Sequence, residues 1–170
     1  MLNTKPNNSN YHQGLYIPKN KDKVLKLNNQ GGLYYRSGLE KKAMIFFDYS
    51  EKVIRWSAEN FKVEYVKTDW DNGTQGLVSS KHSYYPDFYY EMKKADGSIA
   101  KIIAEVKPHS ETVAPILKEN ATVKQLKNFE YSLKMWNKNL SKWKFMIEFC
   151  EKKGFEFIII TDKFLSKFKL

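Results

Sequence analysis

Apolar and polar positions change period several times along the chain, and each change marks an element. Leu39, Ala43, Phe46 and Phe47 recur at helical spacing, which predicts a helix over Ser37–Asp48. Ser37 is its N-cap, and Glu40, three residues on, completes a Ser-x-x-Glu capping box. Val53–Glu59 leads into Phe61–Val66, where Phe61, Val63 and Tyr65 alternate with polar residues; this predicts the first strand of a sheet. Tyr84–Met92 is rich in aromatics and Ile99–Val106 in β-branched residues. Ala95-Asp96-Gly97-Ser98 between them carries turn chemistry, so the two runs predict a hairpin. Helical spacing returns in Thr122–Asn139, with Leu126, Phe129, Leu133 and Trp136 as its stripe. It returns again in Ser141–Lys153, with Trp143, Met146, Ile147 and Cys150, ending at the C-cap Gly154. Phe155–Ile160 reads as a buried strand, parallel to a sheet neighbour because a helix precedes it, and Thr161–Leu165 as a short helix.

Between these elements the pattern is polar. Residues 1–30, with asparagine clusters and the basic run Lys19–Lys23, predict an extended arm that lies on the domain or reaches toward DNA or a partner. Residues 31–170 predict a single domain. Thr68–Lys81 and His109–Asn120 predict loops; Asp69 and Asp71 lack the ligand order and closing glutamate of a calcium loop. Strands interleaved with helices place the fold in the α/β class, a central mixed sheet flanked by helices.

Charge then narrows the partner. Lys and Arg number 29 against 19 Asp and Glu, a net +10 that suits a polyanion, of which nucleic acid is the obvious one, or else serves only solvation. The single cysteine, Cys150, allows no internal disulfide and suits a reducing compartment. No stretch is apolar for long enough to span a bilayer and the first thirty residues lack a signal-peptide core, so the expected location is a cytoplasm with no membrane partner.

The hairpin carries the chemistry. Asp87 follows Pro86, and Glu105 and Lys107, two apart, share one strand face. Directly opposed residues of an antiparallel pair also share a face, so Asp87 joins them only if it sits opposite Glu105. A three-residue loop, Ala95-Asp96-Gly97 with Gly97 left-handed, pairs 94 with 98 and hence 87 with 105. A two-residue Asp96-Gly97 turn would pair 87 with 106 and separate the carboxylates. Two opposed carboxylates repel, and a divalent cation relieves them. Hard oxygen ligands, with no companion cysteine and no HExxH spacing, favour Mg²⁺ or Mn²⁺ over Zn²⁺. Lys107 is then placed to orient a water or neutralise charge at a phosphoryl group. The bland alternative is an exposed hairpin with weak cross-strand ion pairs. His82, five residues before Asp87, falls on the opposite strand face, as a structural or DNA-contacting residue.

Pro86-Asp87 with Glu105-Val106-Lys107 resembles the PD-(D/E)xK nuclease superfamily, which implies a restriction-endonuclease-like core. In many of its members a glutamate on the helix before the sheet reaches the metal. That implies Glu40 as a third acid, beside the capping role its spacing gives it, with Arg36 and Ser37 holding phosphate at the helix start.

A narrower resemblance runs through Tyr16–Asn20, Tyr35-Arg36-Ser37 with Glu40, Val53–Ser57 with Glu59, Tyr85–Phe88, Glu105–Pro108, Lys142-Trp143 and Gly154–Phe157 with Thr161. In order and spacing this succession resembles the head-completion nucleases of tailed phages, which are similar in turn to the transposon-end nucleases of the same superfamily. The asparagine-rich beginning and the segment from Asp69 to Ser80 depart from that pattern. The resemblance implies an endonuclease with a site of Glu40, Asp87, Glu105 and Lys107. It would act on DNA at a filled phage head, in the host cell cytoplasm or with the virion, near portal or neck proteins. A non-catalytic head-completion protein and a resolvase or transposon-end nuclease are the alternatives, and the oligomeric state stays open.

Overall fold

A computed structural model of the chain describes residues 12–59, 62–71, 73 and 75–168. Its elements in chain order are β1 (Gly14–Tyr16), β2 (Leu33–Tyr35), α1 (Gly38–Tyr49), β3 (Val53–Ala58), β4 (Val63–Asp71), β5 (Gly76–Tyr84), β6 (Phe88–Lys93), β7 (Ile99–Val106), α2 (Val123–Lys153), β8 (Glu156–Ile160) and α3 (Asp162–Leu165). The central sheet runs β3-β6-β7-β8. Its first three strands are antiparallel and β8 lies parallel to β7, a pairing that needs a crossover, which α2 supplies. This is the α/β class and the mixed, helix-flanked sheet that the patterning predicts.

Strand alternation gives the sheet two faces and two cores. Phe88 and Tyr90 on β6, Ile102, Ala104 and Val106 on β7, Trp56 on β3 and Ile160 on β8 pack with Ala43, Met44, Phe46 and Phe47 of α1. Their odd or even neighbours Tyr89 and Ile103 face the other way. There they meet Met146 and Cys150 of α2 with Val63, Tyr65 and Tyr84.

The loop between β6 and β7 has the geometry on which the site depends. Phe88 pairs with Ala104 and Lys93 with Ile99. Lys94 N donates to Ser98 O at 2.8 Å and Gly97 N to Lys94 O at 3.1 Å, which closes a loop of residues 95–97. Gly97 takes φ +86°, the left-handed conformation that a residue without a Cβ adopts readily. Asp96 Oδ1 accepts from Ser98 N at 2.9 Å and from its hydroxyl at 2.6 Å, which ties the turn down.

Several boundaries differ from expectation. The sheet strand beside β6 is β3. The run Phe61–Val66, expected as the sheet's first strand, falls in β4 from Val63 on, and β4 pairs instead with β5 in a two-stranded ribbon. Val63 and Tyr65 are buried on one face as the alternation requires, whereas Phe61 lies outside the described residues. Residues 68–71 and 76–81 of the expected loop belong to this ribbon. Its second strand, Gly76–Tyr84, is exposed along nearly all its length, so backbone pairing stabilises it and leaves no apolar period to read. The two helices expected over 122–153 are one. Ser141, which looks like a new N-cap, instead donates from Oγ to Asn137 O at 3.0 Å within the continuing helix, and neither Gly nor Pro interrupts it.

From residue 12 on, the basic arm lies on the domain. β1 pairs with β2, and the segment that follows converges on Asp48, a fully buried carboxylate at the end of α1. Asp48 accepts from Tyr16 Oη at 2.6 Å, Lys19 N at 2.8 Å and Asn20 N at 2.9 Å. Burial opposes its ionisation, but these donors outweigh burial and hold its pKa below the usual carboxylate range. That stability is present above the unfolded-state value near 4 and is lost as pH falls through the lower folded-state value. Asp48→Ala is expected to lower unfolding stability at pH 7 by about 2–3 kcal/mol, as loss of hydrogen bonds to a buried charge requires. In urea melts the gap between variant and wild type should narrow as pH drops from 5 to 2.

Candidate active site

Tyr84, at the end of β5, leads through the buried Pro86 into Asp87, one residue before β6 begins. Glu59 N donates to Asp87 O at 2.9 Å, which extends the β3–β6 pairing and holds the backbone there. Glu105 and Lys107 lie at the end of β7, where Lys107 N donates to Ile160 O at 3.0 Å and extends the pairing with β8. Since Phe88 pairs with Ala104, Asp87 stands opposite Glu105 on the α2 face of the sheet. The three-residue loop therefore brings Asp87, Glu105 and Lys107 together, and the exposed hairpin of weak ion pairs is not what forms, because Glu105 is only 4% exposed.

Each group in this cluster has a distinct electrostatic state. Asp87 Oδ2 accepts from Val106 N at 2.7 Å. Burial and then the neighbouring Glu105 push its pKa up to about 7; the charge of Glu40 adds to the rise, and Val106 N–H and Lys107 oppose it. Glu105 Oε2 accepts from Tyr84 Oη at 2.6 Å, and Oε1 lies 3.4 Å from Lys107 Nζ. Burial disfavours the Lys107 ammonium, but Glu105 and Asp87 outweigh it and raise its pKa above that of a free lysine. Lys107 is thus a fixed cation and a donor. Burial, then Glu105, raises the pKa of Tyr84, so its phenol stays protonated and donates.

A second lysine enters from α2. Lys142 Nζ sits 5.0 Å from the centroid of the Tyr84 ring, over the side chain that orients Glu105. Burial lowers its pKa, and the nearby Lys138 and Lys107 add to that against the pull of Glu105. Neither Tyr84 nor Lys142 receives a site role in the sequence reading. The detectable signal was Lys142 beside the apolar Trp143 on a helix; assigning it to the site requires knowing that α2 covers this face.

The remaining expected residues have partners of their own. Ser37 Oγ accepts from Glu40 N at 3.1 Å, so the N-cap forms as its spacing requires. The Glu40 carboxylate accepts from Arg36 N at 2.8 Å and from Ser37 Oγ at 3.1 Å, and so occupies the anion position at the start of α1. Arg36 Nη2 pairs with Glu59 at 2.8 Å on the surface. His82 is exposed on the ribbon, where Nε2 and Ser80 Oγ share a 2.8 Å hydrogen bond and the ring lies 5.6 Å from that of Tyr65.

Among the described residues no three Asp, Glu, His or Cys side chains group closely enough to ligate one ion. Of the three acids expected to hold a metal, Asp87 and Glu105 oppose each other, while the Glu40 carboxylate is hydrogen-bonded at the start of α1. Two are enough for Mg²⁺ or Mn²⁺, which keep several waters and use one or two carboxylates. Burial first, and the opposed Glu105 charge second, raise the pKa of Asp87, and a cation would offset both. Among the described residues, no helix is long and apolar enough to cross a membrane.

The chain is similar to known nucleases. The head completion nuclease of Enterobacteria phage T4 is 28% identical over 151 residues, which is 89% of this chain and 91% of that protein. A family model described as the TnsA-like endonuclease N terminal matches residues 50–162, a span that holds Tyr84, Asp87, Glu105, Lys107 and Lys142. With more than half of its length matched and a mixed sheet of the restriction-endonuclease-like kind, the chain belongs to the TnsA-like endonuclease N-terminal family.

Proposed function

We propose that this protein is a divalent-cation-dependent DNA endonuclease that serves phage head completion by hydrolysing phosphodiester bonds at the ends of packaged DNA. The observation that carries the reading is the opposition of Asp87 and Glu105 across β6 and β7 with Lys107 beside them. Family membership and the likeness to the phage T4 head completion nuclease support the reaction class and the setting. On this reading the protein works in the host cell cytoplasm or on the virion, beside portal or neck proteins.

Asp87 and Glu105 would hold Mg²⁺ or Mn²⁺. When bound, such an ion polarises a phosphoryl oxygen and acidifies a water. Tyr84 keeps one Glu105 oxygen oriented, so the other faces Lys107. Lys107, cationic throughout, donates to a water or to a phosphate oxygen as negative charge builds. Glu40, tied to the start of α1, contributes negative charge to the site, which Asp87 already feels. Arg36, Ser37 and His82 are proposed outer contacts to the DNA backbone.

Linear duplex DNA incubated with Mg²⁺ or Mn²⁺ should be cut by the wild type, with Asp87→Ala reducing the rate at least 1,000-fold. Equal cutting by both would remove the site. No cutting by an otherwise folded, DNA-binding wild type would favour a non-catalytic head-completion protein, and strong preference for branched or transposon-end substrates would favour a resolvase-type enzyme.

Cation affinity should depend on pH in a way set by Asp87. Because its pKa is raised to about 7, protons compete with the ion below that pH. Mn²⁺ affinity, measured by calorimetry, should fall roughly tenfold per unit below pH 7 and flatten above it, the behaviour of a single competing proton. Without a cation, the raised pKa makes Asp87 a source of stability that declines as pH climbs from about 4 through 7. Asp87→Asn should therefore be more stable than wild type at pH 8 in EDTA, and should lose that advantage near pH 4.

Tyr84→Phe removes only the donor to Glu105. It should weaken Mn²⁺ binding and cleavage together by about 10- to 100-fold, as loss of an orienting partner does, with the melting profile nearly unchanged at low pH.

A further inference from the structure

The first half of α2 is an unusual piece of this fold. The residues it buries are Asn139, Trp143, Met146 and Cys150, all in its second half, and from Val123 to Lys138 it stands largely in solvent. That exposed length is not uniformly charged. Between Lys124 and Lys142 there are five lysines and one acid, Glu130. The lysines fall at 124, 127, 134, 138 and 142, steps of three, seven, four and four, and Tyr131, 68% exposed, fills the long step. At 100° per residue all six side chains lie within about 80° of arc, a single stripe roughly 27 Å long. The buried face of the same helix lies about a quarter-turn away, so packing α2 on the sheet turns this stripe sideways, alongside the active-site face.

The stripe also runs into the site. Its last member, Lys142, is half-buried with Nζ 5.0 Å from the Tyr84 ring, whose hydroxyl donates to Glu105 at 2.6 Å. Lys138, one turn earlier, is exposed and close enough to Lys142 to depress its protonation.

We propose that the stripe Lys124, Lys127, Lys134, Lys138 and Lys142 of α2 is the track on which the phosphate backbone of duplex DNA lies as it leaves the Asp87–Glu105 site. The inference rests on the endonuclease reading and names its substrate-binding surface. Charge complementarity selects the occupant: a line of ammonium groups matches a line of phosphates. Lysine is a point charge that suits phosphate without reading bases. A single-strand platform would stack several bases on aromatic side chains, and this stripe contains only Tyr131.

The test uses the full chain with a 30-base-pair duplex in EDTA, so that binding is measured apart from cleavage. The triple variant Lys127→Gln, Lys134→Gln and Lys138→Gln should reduce the slope of log affinity against log salt by about 2–3 and weaken binding roughly tenfold or more, with helicity unchanged. Lys26→Gln, Lys93→Gln and Lys163→Gln together remove the same charge from exposed positions elsewhere and should leave the slope within about one unit of wild type. Equal losses in the two triples would overturn the track, as would an unaltered slope in the first or tighter binding of a 30-base single strand than of the duplex. Failure of the Asp87→Ala cleavage test would remove the site reading while leaving this binding result standing, so the two are separable.

Discussion

The register of the β6–β7 hairpin is the constraint on which the site depends. A strand presents alternate side chains to alternate faces, so one residue of slip would send Asp87 to the α1 face and leave Glu105 on the α2 face. The register is held by a loop of three residues, and the loop by Gly97, whose left-handed backbone suits a residue without a Cβ. Asp96 and Ser98 reinforce it from the solvent side. The pairing also carries much of the aromatic core on one face and Tyr89 and Ile103 on the other, so the demands of packing and of the site coincide.

Asp48, Glu91 and Asp87 differ in how fully their charge is satisfied. Asp48 takes donors from Tyr16, Lys19 and Asn20, which outweigh burial, and its pKa is depressed. Glu91 pairs with Arg55 at 2.8 Å and accepts from Tyr89; the Arg55 hydrogen bond depresses its pKa despite burial. Asp87 has one N–H from Val106, a carboxylate opposite and a raised pKa. Asp48 and Glu91 lie outside the active-site cluster, and within it Glu105 is satisfied by Tyr84 and Lys107. Asp87, the least satisfied of them, lies opposite Glu105 and beside Lys107.

Helix α2 serves two ends of the molecule differently. Its second half supplies the cover for the α2 face of the sheet and the crossover that sets β8 parallel to β7. Its first half carries charge outward along one side. A continuous helix can do both because nothing in 123–153 breaks it, and because the Thr122 capping box at one end and the left-handed Gly154 at the other satisfy its terminal groups.

Short-range chemistry was legible in the chain itself. Ser37 with Glu40, Gly97 and Gly154 announce caps and turns because they act through neighbouring backbone atoms, and strand parity alone brought Glu105 and Lys107 to one face. Loop length then tied Asp87 to them. What the sequence could not carry was set by contacts between distant segments. Gly76–Tyr84 is a strand because β4 pairs with it, not because it has an apolar period. Ser141 continues a helix where its type suggested a new start. Asp48 gathers Tyr16, Lys19 and Asn20 from a segment that composition shows only as polar and extended. Tyr84 reaches Glu105, and Lys142 the Tyr84 ring, only once the ribbon and α2 are laid on the same face of the sheet. Nearest-neighbour hydrogen bonding is local and therefore written in order; burial and charge pairing depend on which surfaces meet, and only the assembled tertiary structure decides that.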